Sequence, residues 1–197
     1  MQRKRMKVEI SKTFSIRASI NDVWDFMTDI KSVSTCIPGA QYNESLEDNE
    51  HSVMLTVKVG PIKSSYRSKV AIKSLDKSNY TMEIEGSGID TKGKGGANME
   101  MTGKLIDNGD GTTGVTGDSI VTIQGMLAQF GSRMIEDVSN QLFVQFTENL
   151  RTRLEGNGKN IEGDQQSDSD NSLSGTAVAW AAIKGVVGRI MRIFNKK

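Results

Sequence analysis

The spacing of hydrophobic residues changes from alternating to helical near residue 126, and this change restricts the possible folds more than any other feature. Between residues 40 and 123 apolar and polar side chains mostly alternate, as at Val53, Leu55 and Val57, which is typical of strands with one buried face. From Met126 to about Leu154 the spacing becomes helical. An antiparallel sheet with one apolar face needs a cover, and this helix is the only segment of the body long enough to provide it.

The segment before residue 40 completes the predicted fold. Residues 7–16 alternate and predict a first strand, although Lys12 falls on its apolar face. Ser19 and Asp29 are predicted to cap two short helices, and Pro38 ends the second of them. We therefore expect an α+β protein in which a curved antiparallel sheet of about seven strands wraps around a long C-terminal α-helix. A cavity is expected between the sheet and that helix.

Charge divides the chain into three segments. Residues 1–155 hold 19 Lys and Arg against 20 Asp and Glu, residues 156–175 hold 1 against 4, and residues 176–197 hold 5 against none. The acidic stretch contains too few large apolar side chains to form a core. The sequence thus predicts a folded domain at 6–155, a flexible acidic linker at 156–175 and a basic amphipathic helix at 176–197. Because the basic residues of the domain are interspersed with acidic ones, no nucleic-acid partner is predicted.

The C-terminal segment has an apolar face, a basic face and no acidic residue, which is the pattern of a helix lying in a membrane surface. Lys184 and Arg189 interrupt its apolar run, whereas crossing a bilayer takes about 20 apolar residues. Packing on the body or on a partner protein, and the absence of stable structure, are the alternatives. The residues predicted to contact the membrane are Trp180, Ile183, Lys184, Val187, Arg189, Ile190, Arg192 and Phe194.

Few residues are available for catalysis or metal binding. A single cysteine, Cys36, and a single histidine, His51, exclude an internal disulfide, a multi-cysteine metal site and any site with two imidazoles. Cys36 is predicted to be buried, and His51 to be exposed in a turn. The glycine-rich residues 92–96 lack the Gly-Lys-Ser/Thr ending of a nucleotide-binding loop. They predict a mobile connection between strands, or alternatively a gate over the cavity.

The expected cavity is lined by apolar side chains from the inner faces of the strands and from the covering helix. Methionines are common among them, and their flexible thioethers adapt to irregular ligands. Ordinary core packing is the alternative for each residue. No catalytic residue and no metal ligand is predicted. The predicted lining residues are Tyr66, Tyr80, Met82, Met99, Met101, Leu127, Phe130, Met134 and Val138.

Several local sequences, taken in order, resemble a known family. They are VWDFMTDIKSVSTCIPG at 23–39, VKVGPIKSSYRSKV at 57–70, EGSG at 85–88, KGGANMEM at 94–101 and IQGMLAQFGSRMIEDVSNQLFVQFTENL at 123–150. This pattern resembles the SRPBCC superfamily, whose START and Bet v 1-like members have a helix-grip fold. Within it, residues 6–155 are most similar to the G-subunit family of carbon monoxide dehydrogenase.

The resemblance implies a small cytoplasmic protein, peripheral on the inner face of the cell membrane. Its partner would be a molybdenum hydroxylase of the carbon monoxide dehydrogenase type. The cavity would hold an apolar small molecule, with a quinone as the candidate, and no covalent cofactor is expected. The main hypothesis is a non-enzymatic protein that carries this ligand and tethers the enzyme to the membrane. The alternatives are a recruitment or assembly factor without a ligand and, less favoured, a cyclase-type enzyme.

Overall fold

The computed structural model describes residues 5–59, 62–129 and 131–156. Phe130, the predicted linker beyond Gly156 and the predicted C-terminal helix with its eight membrane-contacting residues lie outside the described residues. The elements are β1 (Arg5–Ile16), α1 (Ile20–Thr28), α2 (Ile30–Ser34), β2 (Ala40–Ser45), β3 (Glu50–Val59), β4 (Ile62–Asp76), β5 (Thr81–Asp90), β6 (Gly95–Asp107), β7 (Thr113–Gly125), a 3₁₀ turn (Leu127–Gln129) and α3 (Ser132–Gly156).

The seven strands form one antiparallel sheet in the order β1-β7-β6-β5-β4-β3-β2. The first two strands of the chain therefore lie at opposite edges, and α1 and α2 carry the chain from one edge to the other. Each of the strands β2 to β6 pairs with the next strand of the chain, and β1 pairs with the last strand, β7. The predicted helix-grip fold, with two short helices after the first strand and a long helix after the last, is confirmed.

Polar caps hold the two short helices in place. The Ser19 hydroxyl accepts a hydrogen bond from the backbone N–H of Asp22 at the start of α1. The Asp29 carboxylate accepts the backbone N–H groups of Lys31 and Ser32 at the start of α2. The pKa of Asp29 is lowered, chiefly by a hydrogen bond from the Ser32 side chain, so this cap is ionised at neutral pH. Both caps agree with the sequence interpretation.

The C-terminal half of α3 is fixed tightly to the rest of the domain. Phe14 of β1 makes edge contacts with Phe143 and Phe146 of α3, at ring-centre distances of 5.8 and 6.3 Å. The Asn149 side chain donates to the carbonyl of Cys36 at 3.0 Å, and Leu150 is fully buried. In the part of the chain described, no helix is long and apolar enough to cross a membrane.

Lys12 lies on the inner face of β1 because α3 provides partners for its charge. Its amine donates to the side-chain oxygen of Asn140 and lies 5.7 Å from the centre of the Phe143 ring. A cation above an aromatic ring is stabilised by the electron-rich face. The Lys12 cation can therefore occupy the otherwise apolar inner face of β1 where this strand contacts α3.

Two local predictions differ from the structure. The long helix begins at Ser132 rather than near Met126, because Gly131 has a φ of +82°, which an α-helix does not accommodate. A separate 3₁₀ turn occupies Leu127–Gln129. His51 lies in β3 rather than in a turn and is half-buried, with its Nδ1 3.3 Å from the Tyr42 hydroxyl. Cys36 is fully buried, as predicted.

Gly39, which follows Pro38, provides a test of this packing. Its φ is +78°, and a Cβ at this position would lie 2.1 Å from the backbone oxygen of Thr56. Gly109 has a similar φ of +76° but nothing within 4 Å of the same point. We expect Gly109→Ala to lower the free energy of unfolding by about 1 kcal/mol through backbone strain alone. Gly39→Ala should lower it by about 3 kcal/mol, because the methyl group also overlaps the neighbouring strand. Urea unfolding measures both values, and equal losses would contradict the close approach.

Candidate functional site

An apolar cavity of about 360 Å³ lies between the inner face of the sheet and the N-terminal half of α3. This volume is within the range of roughly 300–1,000 Å³ that is typical of small-molecule sites. The sheet supplies the floor and walls, and α3 with the preceding 3₁₀ turn supplies the roof. Residues of the sheet that line it include Leu55, Val57, Tyr66, Gly86, Gly88, Ala97, Met99, Val121 and Ile123, and those of the roof are Leu127, Ile135, Val138, Ser139 and Leu142.

The cavity exists where the inner face of β5 carries glycines. Alternation places Gly86 and Gly88 on the same face as buried Met82 and Ile84, but without side chains that could fill the space. A Cβ at Gly86 would lie 3.4 Å from the terminal carbon of Met99, and one at Gly88 would lie 2.9 Å from the Ser68 hydroxyl. Met99 and Ser68 partly overlie these glycines, and α3 spans the volume that remains above this low floor without filling it.

Tyr66 contributes a phenol to the cavity lining, which also includes Ser68 and Ser139. The Tyr66 side chain is only 8% exposed. Burial raises the pKa of its phenol, a hydrogen bond with Ser64 opposes this rise, and the charge of Asp90 adds to it. The phenol is therefore protonated at neutral pH and can donate a hydrogen bond to a ligand oxygen. It does not serve as a base.

Asp90, the register partner of Tyr66, is buried for a structural reason. It is 4% exposed, and one carboxylate oxygen accepts the backbone N–H groups of Lys92 and Lys94 at 2.8 and 3.3 Å. These bonds hold the glycine-rich connection between β5 and β6 in a defined turn. Its carboxylate is thus engaged by the backbone of the loop, and we assign it no catalytic role.

Four of the nine predicted cavity residues line the cavity: Tyr66, Met99, Leu127 and Val138. Phe130 lies outside the described residues. Tyr80, Met82 and Met101 are on or beside the inner face as expected, but they pack in a second cluster with Trp24 and Leu150. This second cluster is filled because α1 and the anchored end of α3 cover it.

The structure corrects the placement of Tyr80 and Met134. The Tyr80 ring lies 5.5 Å from that of Trp24, and its hydroxyl donates to Asn21 at 2.8 Å, so it belongs to the packing of α1. Met134 is 37% exposed and does not line the cavity. Because α3 begins only at Ser132, Met134 lies in its first turn, and the face toward the cavity passes through Ile135, Val138 and Leu142.

Sequence reasoning missed the glycine floor. Gly86 and Gly88 occupy inward positions of an alternating strand, and their neighbours across β6 are Met99 and Ala97. Two glycines at inward positions of one strand, with Ala97 opposite Gly88 on the next, indicate in the sequence that side chains do not fill the space over this part of the sheet. The alternating pattern of β5 does not reveal this floor, because glycine has no apolar side chain and is most common in turns.

A second, larger groove of about 750 Å³ crosses the outer face of the sheet. Its lining includes the charged side chains of Glu83, Glu85, Glu100 and Asp118. These carboxylates are solvated by water and disfavour the binding of an apolar ligand. The described residues hold no group of three or more His, Cys, Asp or Glu side chains placed to bind a metal ion. We therefore take the inner cavity as the candidate site.

The model of the CoxG family, named for the G-subunit of carbon monoxide dehydrogenase, matches residues 13–155. This match covers most of the chain and all of the cavity-forming elements except the start of β1. The chain belongs to the CoxG family. The search of curated proteins gave no match.

Solved structures similar to this CoxG family member show the fold alone, because their sequence identities are low. A conserved protein from Geobacillus kaustophilus has a TM-score of 0.67 at 20% identity, and the match covers 77% of this chain and 96% of that one. The aromatase/cyclase Zhui from Streptomyces sp. R1128 has a TM-score of 0.57 at 13% identity, covering 78% and 97%. A START superfamily protein from Mycobacterium smegmatis has a TM-score of 0.53 at 14% identity, covering 75% and 97%.

Filling the cavity should abolish binding of an apolar probe without unfolding the domain. Ala97 lines the cavity, and Ala97→Leu places three more carbon atoms in it. The matched control is Ala71→Leu. Ala71 lies on the opposite face of the sheet, between its register partners Glu50 and Glu85. We expect the first variant to bind the neutral fluorophore N-phenyl-1-naphthylamine at least about tenfold more weakly, a loss equivalent to about 1.4 kcal/mol. The control should bind it like the unchanged protein, and equal weakening by both variants would exclude the cavity as the site.

Proposed function

We propose that this protein is a non-catalytic carrier of an apolar, quinone-like molecule that links a carbon monoxide dehydrogenase-type molybdenum hydroxylase to the cytoplasmic membrane. The observation that supports it most is the cavity, which is apolar over nearly all of its lining but contains one buried phenol, that of Tyr66. A quinone matches this lining, because it has a carbonyl oxygen that can accept a hydrogen bond and an apolar tail.

The family assignment supports the choice of partner and of ligand. Carbon monoxide dehydrogenase, for which the family is named, removes electrons from its substrate, and those electrons have to reach an acceptor. Membrane quinones are apolar electron acceptors that do not leave the bilayer unaided. A cavity protein of this family could bind such a molecule outside the bilayer and bring it to the enzyme.

The lining of the cavity favours binding over catalysis. Tyr66 is held in its protonated form, and the amine of Lys69 forms a 2.9 Å ion pair with Glu50 on the outer face although its backbone borders the cavity. An acid–base reaction needs a positioned group that can gain and lose a proton near neutral pH. The aromatase/cyclase with a similar fold shares only 13% identity, so its activity is not transferred to this chain.

Mass spectrometry of an organic extract tests the proposed cargo. The full-length protein is purified from a host with intact membranes, together with the Ala97→Leu and Ala71→Leu variants. We expect close to one quinone per chain in the unchanged protein and in Ala71→Leu, and a large loss in Ala97→Leu. Extracts of well-folded protein that stay empty after incubation with ubiquinone-1 would contradict the carrier function. That result would favour a recruitment or assembly factor whose cavity carries no ligand.

The C-terminal segment is proposed to hold the protein at the membrane. Residues 176–197 combine an apolar face with five basic residues, and each basic residue near an anionic leaflet contributes about 1 kcal/mol. Removing residues 173–197 should therefore lower the fraction bound to phosphatidylglycerol-containing vesicles by more than about tenfold at low salt. Sedimentation with the vesicles measures this fraction, and the circular dichroism melting curve serves as the folding control. Unchanged vesicle binding by the shortened chain would contradict the tether.

A further inference from the structure

Five exposed cations of the folded domain lie at one end of the sheet, in addition to Arg5 at the start of β1. The five come from the facing ends of β3 and β4, the connection of β5 to β6 and the first turn of α3. We call this group the basic end. Its members are Lys58, Lys63, Lys92, Lys94 and Arg133, all exposed.

Backbone contacts place these residues side by side. Lys58 and Lys63 are register partners at the ends of β3 and β4. The N–H of Thr91 donates to the carbonyl of Ser65 at 2.8 Å, which joins the β5–β6 connection to β4. The N–H of Met126 donates to the carbonyl of Lys94 at 3.1 Å, which joins the same connection to the segment leading into α3. The five cations therefore surround one end of the fold.

The charge of the basic end is not neutralised by nearby ion pairs. Within the described residues five salt bridges form, through Lys7, Lys69, Lys73, Lys77 and Arg151, and none of them involves a residue of the basic end. Asp90 turns inward to bind backbone N–H groups of the loop.

Acidic side chains do occur near the basic end. The next turn of α3 carries Glu136 and Asp137, so part of the positive potential is offset on the helix side. The four lysines of the basic end have no acidic neighbour within two positions along the chain except Asp90.

The opposite end of the domain has more acidic than basic side chains, although Arg17, Lys31, Lys77, Lys104, Arg151 and Arg153 also lie there. The two short helices, the β2–β3 connection and the β6–β7 turn meet there, and their carboxylates include Asp22, Asp29, Glu47, Asp48 and Asp110. The net charge near zero of residues 1–155 therefore conceals a separation of charge along the strands. A separated charge of this kind orients a protein near a charged surface.

The cavity lies toward the basic end. Tyr66 is three residues from Lys63, and both Leu127 and Ile135 of the roof lie close along the chain to Arg133. Two exposed apolar side chains also belong to this end: Ile89, 64% exposed, next to the β5–β6 connection, and Met134, 37% exposed, beside Arg133. Cations mixed with exposed apolar side chains are the composition of a surface that rests on anionic lipid.

We propose that the basic end is a docking surface for an anionic phospholipid leaflet, separate from the C-terminal segment, and that it holds the cavity against the membrane. The choice of a lipid surface rests on the proposed function. Docking brings the cavity to the bilayer surface, where an apolar molecule can pass into it with little exposure to water.

Charge-matched variants of the full-length chain test this surface. The first carries Lys58→Gln, Lys63→Gln, Lys92→Gln and Lys94→Gln. The control carries Arg17→Gln, Lys31→Gln, Lys104→Gln and Arg153→Gln, four exposed cations outside the basic end. Both lose the same net charge and keep the C-terminal segment, so only the location of the change differs.

Partitioning is measured on vesicles of about 70% phosphatidylcholine and 30% phosphatidylglycerol, with pure phosphatidylcholine for comparison. We expect the first variant to bind the anionic vesicles at least about tenfold more weakly and the control less than about twofold more weakly. The difference should shrink as salt is added. Equal effects of the two variants, or no effect of either, would overturn the docking surface.

A single-stranded oligonucleotide of about 20 nucleotides serves as a second probe. If the first variant loses oligonucleotide binding while vesicle binding is unchanged, the lipid assignment is overturned in favour of a nucleic acid. The quinone content of each purified variant is measured in parallel. If both variants keep their quinone and bind vesicles equally, the docking surface is rejected and the carrier function is not. If the extracts are empty but the first variant selectively loses vesicle binding, the carrier function is rejected and the docking surface is not.

Discussion

The structure depends on one constraint: a single helix has to cover the inner face of a seven-stranded antiparallel sheet. The C-terminal half of α3 meets this requirement through close contacts, with Phe14 against two of its phenylalanines and Asn149 bound to the carbonyl of Cys36. The short helices add their own side chains at the same end. The N-terminal half of α3 packs less completely: its Ile135 is buried with Val8, Tyr66 and Ile123, but the glycines of β5 leave a cavity beside this cluster.

The two halves of the inner face therefore differ in function. Under the anchored half, Met82, Trp24 and Leu150 form a filled core, whose burial is the main source of stability. Under the other half, Gly86 and Gly88 leave a cavity that places Tyr66 among apolar side chains.

The two halves of the inner face also lie near ends of the sheet that differ in charge. The filled core lies at the acidic end, with α1 and α2, and the cavity lies toward the cation-rich connections and the start of α3. An anionic surface would attract the cavity end and repel the other. Binding of an apolar ligand and orientation at a membrane would then be properties of one surface of one domain.

The order of elements could be predicted from the sequence, because the spacing of apolar residues and the capping of helices are local. Ser19, Asp29 and the inward positions of the strands all follow from neighbours within a few residues. The tertiary structure decided which inward residues pack and which line a cavity. Met82 and Met99 have the same local pattern, yet Met82 is buried within the filled core whereas Met99, at the border of that core, also lines the cavity. The start of α3 at Ser132, which follows from the backbone conformation of Gly131, likewise placed Met134 toward solvent. The basic end formed only because segments distant in sequence meet at one end of the sheet.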